Sequence, residues 1–173
     1  SDTELEKIRR KCAIERDLAL IECLYSTGVR VSELVSLNRQ DIDFDELKLV
    51  VYGKGAKERE TYLTAASCMH LKEYLETRTD KSEALFVSLK APHERLTVSG
   101  VEDILRRLGR STGIEKVHPH RFRRTMATNI LNKGMPIEEV KEILGHTKLD
   151  TTMIYCQISK ENVRHHHKKY MSA

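Results

Sequence analysis

His120 and Arg123 stand three residues apart in the stretch His118-Pro119-His120-Arg121-Phe122-Arg123-Arg124-Thr125. Pro119 suits the first turn of a helix, where its preset φ helps and its missing N–H is no loss. A helix begun there puts His120 and Arg123 on one face. Phe122, Met126, Ile130 and Leu131 form an apolar stripe on another. The stripe anchors the helix, and the polar face holds out an imidazole beside a guanidinium. The planar guanidinium fork donates two parallel hydrogen bonds and matches a pair of phosphate oxygens. Two further stretches offer company: Gly28-Val29-Arg30-Val31-Ser32-Glu33-Leu34, and Leu144-Gly145-His146, followed nine residues later by Tyr155.

The elements that must position these groups can be read in order. Thr3-Glu4-Leu5-Glu6 has the form of a capping box opening a helix. Leu18, Leu20, Ile21, Leu24 and Tyr25 predict a second, buried helix that Gly28 ends as a C-cap. Arg30 then lies in a short turn; local signals alone favour a surface arginine after a helix stop. From Asp41 to Leu63 the period changes to two, predicting a small antiparallel sheet of three short strands. Lys54 falls at its hairpin tip, between Gly53 and Gly55, where a solvated lysine is the usual occupant. A phosphate loop is excluded there, because the upstream glycine and the Ser or Thr after Gly-Lys are both missing.

Residues 65–78 are predicted helical, with Met69, Leu71, Tyr74 and Leu75 as buried positions, and Ser99-Gly100-Val101-Glu102 reads as a second capping box for a helix ending at Gly113. Pro136 restarts a helix, with Glu138 and Glu139 in its first turn and Gly145 at its end. Met135 to His146 also has the form of a helix-turn-helix, so a DNA-reading module is an open alternative. Asp150 can cap a helix carrying Tyr155, and Ser159 a last one. His165, His166 and His167 are consecutive, and adjacent helical residues point in different directions, so they do not converge on one metal ion.

A chain of 173 residues with 39% hydrophobic and 32% charged residues suits one globular domain with a charged surface. No apolar run approaches membrane-spanning length, and no secretory leader is expected. The net charge of +4 permits a nucleic-acid partner without requiring one. Cys12, Cys23, Cys68 and Cys156 form no C-x-x-C and read as reduced thiols in a cytosolic protein.

Taken in order, Thr27 to Leu34, Gly53-Lys54-Gly55, His120-Arg121-Phe122-Arg123, Leu144-Gly145-His146 and Thr151-Thr152-Met153-Ile154-Tyr155 resemble the catalytic domain of the tyrosine recombinases, the phage integrase family. Five separated pieces in one order make a specific match, spanning the chain from the first helix onward. Many relatives have a histidine directly after the second arginine; this chain has Arg124. The resemblance implies an α+β, mainly helical fold with a small three-stranded antiparallel sheet. Residues 1–158 would form the catalytic domain, and 159–173 a C-terminal helix or tail that can be exchanged between protomers. Relatives also carry an N-terminal core-binding domain, so this chain is expected to be the catalytic half of a longer protein.

The implied chemistry is two transesterifications. Tyr155 attacks a backbone phosphorus, forming a 3′-phosphotyrosine and releasing a 5′-hydroxyl; a partner strand's 5′-hydroxyl reverses the step. Arg30 and Arg123 would neutralise the equatorial oxygens, a role metal ions fill at many other phosphoryl-transfer sites. By the same resemblance His120 would accept the phenol proton, His146 donate a hydrogen bond to a phosphate oxygen, and Lys54 protonate the departing oxygen. Glu33 would orient basic neighbours, with a plain surface glutamate as the alternative. No cofactor and no metal are expected. The partners implied are double-stranded DNA and other copies of the chain in a tetrameric synapse, with the isolated fragment a monomer and no membrane involved. The expected location is the bacterial cytoplasm, at the nucleoid when DNA-bound. Competing readings are a type IB topoisomerase, relaxing strands without exchanging them, and a non-catalytic helix-turn-helix regulator.

Overall fold

A computed structural model describes residues 2–53, 58–146, 152, 153, 155 and 160–171. The element at its centre is α2 (Glu15–Thr27), in which Ala19, Leu20, Ile21, Cys23 and Leu24 are wholly buried. Burying one such leucine stabilises the fold by about 1.5–3 kcal/mol relative to leaving it in water. The helices α4 (Ala65–Glu76) and α6 (Pro119–Asn132) pack against α2, while α1 (Asp2–Lys11) packs against α5 (Val98–Thr112). The short α3 (Val31–Ser36) follows α2 directly, and α7 (Ile137–Leu144) lies against α6. A last helix, α8, spans Lys160–Met171.

Three strands, β1 (Ile42–Asp43), β2 (Lys48–Tyr52) and β3 (Glu58–Tyr62), form an antiparallel sheet in the order β1-β2-β3, as the two-residue period predicts. Leu49 and Val51 of β2 and Thr61 of β3 face the core. Alternation places Arg59 on that same inner face, where its guanidinium meets Glu33 of α3 and the Ile143 carbonyl of α7.

Glycine and proline mark the element ends where predicted. Gly28, Gly113 and Gly145 cap α2, α5 and α7 in the left-handed region, and Pro119 opens α6. The two capping boxes are misplaced. Helix α1 already includes Thr3, and the cap of α5 is Thr97, whose hydroxyl accepts from the Gly100 N–H at 3.0 Å. Met69, expected inside, is 49% exposed. Helix α4 turns Ser67, Cys68, Leu71 and Tyr74 inward, which leaves Met69 on the opposite side. Among the described residues no helix is long and apolar enough to cross a membrane.

Beside the main core lies a smaller apolar cluster of Met126, Ala127, Val140 and Leu144, with Ile130, Leu131 and Tyr155 packed on it. It joins α6 to α7 and receives the ring of Tyr155.

Candidate active site

The α2–α3 turn is built to be immobile. Thr27 caps back onto the Cys23 carbonyl at 2.7 Å, and Thr61 donates to the Thr27 carbonyl at 2.8 Å. Gly28 turns the chain at φ +61°, and a Cβ there would lie 2.2 Å from Met126 Cε. The next residues set Arg30 at the start of α3, with its backbone N–H donating to Glu33 Oε2 at 2.7 Å and its guanidinium to Glu33 Oε1 at 3.1 Å. Arg30 is therefore not a free surface arginine; its side chain is 40% exposed and tethered.

Glu33 is buried, which decides against the plain surface alternative. Burial alone would raise its pKa. The bidentate bonds from Arg59 at 2.7 and 2.8 Å, the Arg30 N–H and the two guanidinium charges outweigh burial and hold it below the ordinary glutamate value. Arg59 also donates from Nε to the Ile143 carbonyl at 2.9 Å. No local motif marks Arg59. The available signal was its inward phase on β3, since a buried-face arginine in a strand requires a partner.

Arg123 is 4% exposed. It donates to the Gly28 carbonyl and, at 2.6 Å, to the Leu144 carbonyl, so its acceptors are the last groups of α2 and α7. Helix C-termini carry unpaired carbonyls and partial negative charge, which suits a cation. Burial, and then the charges of Arg30 and Arg59, push its pKa down to about 10; Glu33 and Tyr155 act in the opposite sense.

His146 follows the Gly145 cap and is buried. Its Nε2 lies 3.0 Å from Arg123 Nη2, and its Nδ1 lies 2.8 Å from Thr152 Oγ1. An arginine can only donate, so Nε2 accepts, and the ring proton sits on Nδ1 and points to Thr152. Burial, then the charges of Arg123, Arg30 and Arg59, push the imidazole down to about 4. The Tyr155 ring lies 6.2 Å from the His146 ring, centroid to centroid.

Arg30, Arg123, His146 and Tyr155 are thus brought together, with Glu33, Arg59 and Thr152 as supports. His120 lies on the exposed first turn of α6, with its ring 6.4 Å from that of His118. No hydrogen bond among the described residues ties it to Arg123, His146 or Tyr155. Lys54 lies outside the described residues. Arg124, the departure from the family pattern, is exposed. Helix α7 turns Val140 and Leu144 inward and exposes Glu138, Glu139 and Glu142. Three carboxylates on the outer face would repel phosphate, which weighs against Met135 to His146 as a helix-turn-helix reader.

The cluster gathers three guanidinium groups about one carboxylate, a net positive charge beside a phenol. The fold and this arrangement define a class: the phage integrase family model matches residues 2–162, and the chain belongs to that family. It is 38% identical over 163 residues to the tyrosine recombinase XerC of Staphylococcus aureus, covering 91% of this chain and 53% of that protein. The crystal structure of XerA recombinase matches with a TM-score of 0.85 at 30% identity, covering 100% of this chain and 65% of that one. XerH site-specific recombinase bound to difH substrate, in a pre-cleavage complex, matches with a TM-score of 0.77 at 27% identity, covering 99% and 52%. The chain spans about half the length of the XerC relative. The mainly helical α+β fold with its small sheet is the one the resemblance implies.

Proposed function

We propose that this chain is the catalytic domain of a site-specific DNA recombinase that cuts and rejoins strands through a 3′-phosphotyrosine. The observation that carries the reading is the excess of fixed positive charge beside Tyr155: among the described residues, Arg30, Arg59 and Arg123 against Glu33. Such a site attracts a phosphodiester and stabilises the charge that grows on its oxygens during attack. In that reaction the Tyr155 oxygen–phosphorus bond forms as the phosphorus–O5′ bond breaks. The phenol proton goes to His120 and the leaving oxygen takes one from Lys54. Arg30 and Arg123 grip the non-bridging oxygens. In the DNA-free site His146 Nε2 accepts from Arg123. An arriving phosphate draws that guanidinium onto its own oxygens, and Nε2, once it carries a proton, becomes a donor to the same group.

The substrate is double-stranded DNA. Residues 1–158 form the catalytic unit, and 159–173 dock on a neighbouring copy within a tetrameric synapse. The strongly exposed Tyr170 and Met171 on α8 support that docking. The deciding experiment is a suicide-substrate assay for a protein–DNA band that survives SDS. The expected result is a band in the wild type and none in Tyr155→Phe, with DNA affinity retained; a band in Tyr155→Phe overturns the assignment. Supercoil relaxation beside two-site recombination separates strand exchange from simple relaxation.

A further inference from the structure

Arg59 spends all three guanidinium nitrogens inside the protein, on the Ile143 carbonyl and both oxygens of Glu33. Its side chain is 11% exposed and that of Glu33 is 4% exposed. Its stem packs against Gly145, where a Cβ would come within 2.8 Å of Arg59 Cδ. Gly145 directly precedes His146, and Glu33 holds both the backbone N–H and the guanidinium of Arg30. One side chain on β3 therefore touches the supports of two site residues that come from opposite ends of the chain.

We propose that Arg59 is a positioning residue of the anion site, acting on Arg30 through Glu33 and on His146 through the Ile143 carbonyl and Gly145, and not itself gripping phosphate. The inference rests on reading the cluster as the phosphate site of a strand-transfer enzyme. A half-exposed arginine has many rotamers, and ordering one costs entropy. A carboxylate gripped along one edge by a planar fork has fixed oxygens, so Glu33 selects a single Arg30 geometry. To reach a phosphate, Arg59 would have to abandon Glu33 and leave a buried carboxylate unpaired. Lysine cannot replace it, because its three N–H donors leave a single nitrogen and cannot span both Glu33 oxygens and the Ile143 carbonyl as the flat fork does. Three charges face His146, from Arg123, Arg30 and Arg59, with the Thr152 hydroxyl on Nδ1 and the Tyr155 ring alongside.

The test uses Arg59→Lys, Arg59→Gln and Glu33→Gln in the full chain, with two independent readouts. In single-turnover cleavage of a suicide duplex, Arg59→Lys and Glu33→Gln each lose about 10²-fold in rate, the scale of a misplaced catalytic group, and Kd for the duplex stays at the wild-type value. The double variant falls no further than either single. A wild-type rate in Arg59→Lys, or a Kd that worsens in step with the rate, overturns the proposal; the second outcome would make Arg59 a direct phosphate ligand. The other readout needs no reaction: the NMR titration of His146. Arg59→Gln, which removes a charge facing the ring, moves its midpoint upward; Arg59→Lys, which keeps the charge and loses the hold on Ile143 and Gly145, moves it as well, and a midpoint unmoved in both variants overturns the proposal. Should these variants fail to fold, the wild-type Arg59 Nε–H resonance decides. It stays in place when DNA is added if Arg59 only positions, and shifts if Arg59 grips phosphate. A wild type that forms no DNA adduct rejects the recombinase reading, and the His146 midpoints still judge Arg59.

Discussion

Two arginines of this protein reach inward and answer to opposite electrostatics. Arg78, whose side chain is 3% exposed, clips the loop after α4. It donates to both oxygens of Asp80 and to the carbonyls of Ser82, Ala84 and Leu85. Burial would lower its pKa, but the Asp80 carboxylate outweighs burial and raises it. Arg123 is the more deeply buried of the two and has no carboxylate partner among the described residues. Two helix-end carbonyls and a neutral imidazole hold it, and its pKa falls to about 10. The first arginine is neutralised where it stands. The second is kept as a cation short of an anion, next to two more guanidinium groups. Burial alone therefore does not mark a functional charge; burial without a counter-charge does.

The sharpest way to break this comparison is to remove each arginine while keeping its bulk. Arg78→Met takes the fork away from Asp80, which keeps Arg39 and the Ser82 N–H, and unpairs the Ala84 and Leu85 carbonyls; it should cost about 3 kcal/mol of stability, the upper end for hydrogen bonds to a charged group. Chemical denaturation measures it, and cleavage per folded molecule should be unchanged. Arg123→Met orphans no carboxylate, only two carbonyls and the His146 Nε2, and should cost about 1–2 kcal/mol. Its cleavage rate should fall about 10²–10³-fold, the scale for losing one donor to a developing oxyanion. Equal stability losses, or a cleavage defect in Arg78→Met, would remove the distinction.

A smaller effect tests how the uncompensated cation is held. Gly28 supplies a carbonyl to Arg123 from a left-handed turn packed against Met126. Gly28→Ala adds a Cβ at φ +61°, which costs about 1–2 kcal/mol from backbone strain alone. The Met126 methyl must also move aside. The thermal midpoint should drop accordingly, and cleavage should fall as well, because the displaced carbonyl is an Arg123 acceptor. Alanine at Gly113, equally left-handed but with open space around its Cβ position, should cost stability without touching cleavage.

What could be read from the sequence, and what could not, divides along the range of the interactions. Pro119, Gly28, Gly113 and Gly145 announce their elements because the constraint lies in the residue itself. Arg30, Arg123, His146 and Tyr155 are legible by type and order, and the fold does gather them. Thr97 escapes notice as a cap because its third helical residue is Gly100 rather than a glutamate, while Ser99 fits the pattern in the wrong phase. Arg59 escapes notice because its partners, Glu33 and Ile143, are 26 and 84 residues away; only the fold unites them. Thr152 is legible as part of a motif, but not as the group that fixes the His146 tautomer. Lys54 and the path from His146 to Tyr155 include positions outside the described residues.

The gentlest probe of the comparison is pH. If Arg123 is an uncompensated cation, it must oppose a second positive charge on the imidazole that accepts its hydrogen bond. Burial first, and then the Arg123 charge, push His146 down to about 4, against an ordinary 6.5. Between those values the unfolded chain binds more protons than the native one, so stability rises with pH through the window. The contribution is complete above pH 6.5 and is lost as pH falls towards 4. One proton limits the slope to about 1.4 kcal/mol per pH unit. Denaturation curves collected from about pH 4 to 7 should show this rise, and His146→Gln should flatten it. Arg123→Met should flatten it in part, since burial, Arg30 and Arg59 still act on the ring. Arg78→Met should leave the slope above about pH 5 unchanged and lessen only the part near pH 4, because Arg78 holds the Asp80 carboxyl well below the ordinary aspartate value and that stabilisation fades only at the acid end. A slope that survives both His146→Gln and Arg123→Met would mean that the acid sensitivity arises elsewhere, and that the Arg123 guanidinium is compensated after all.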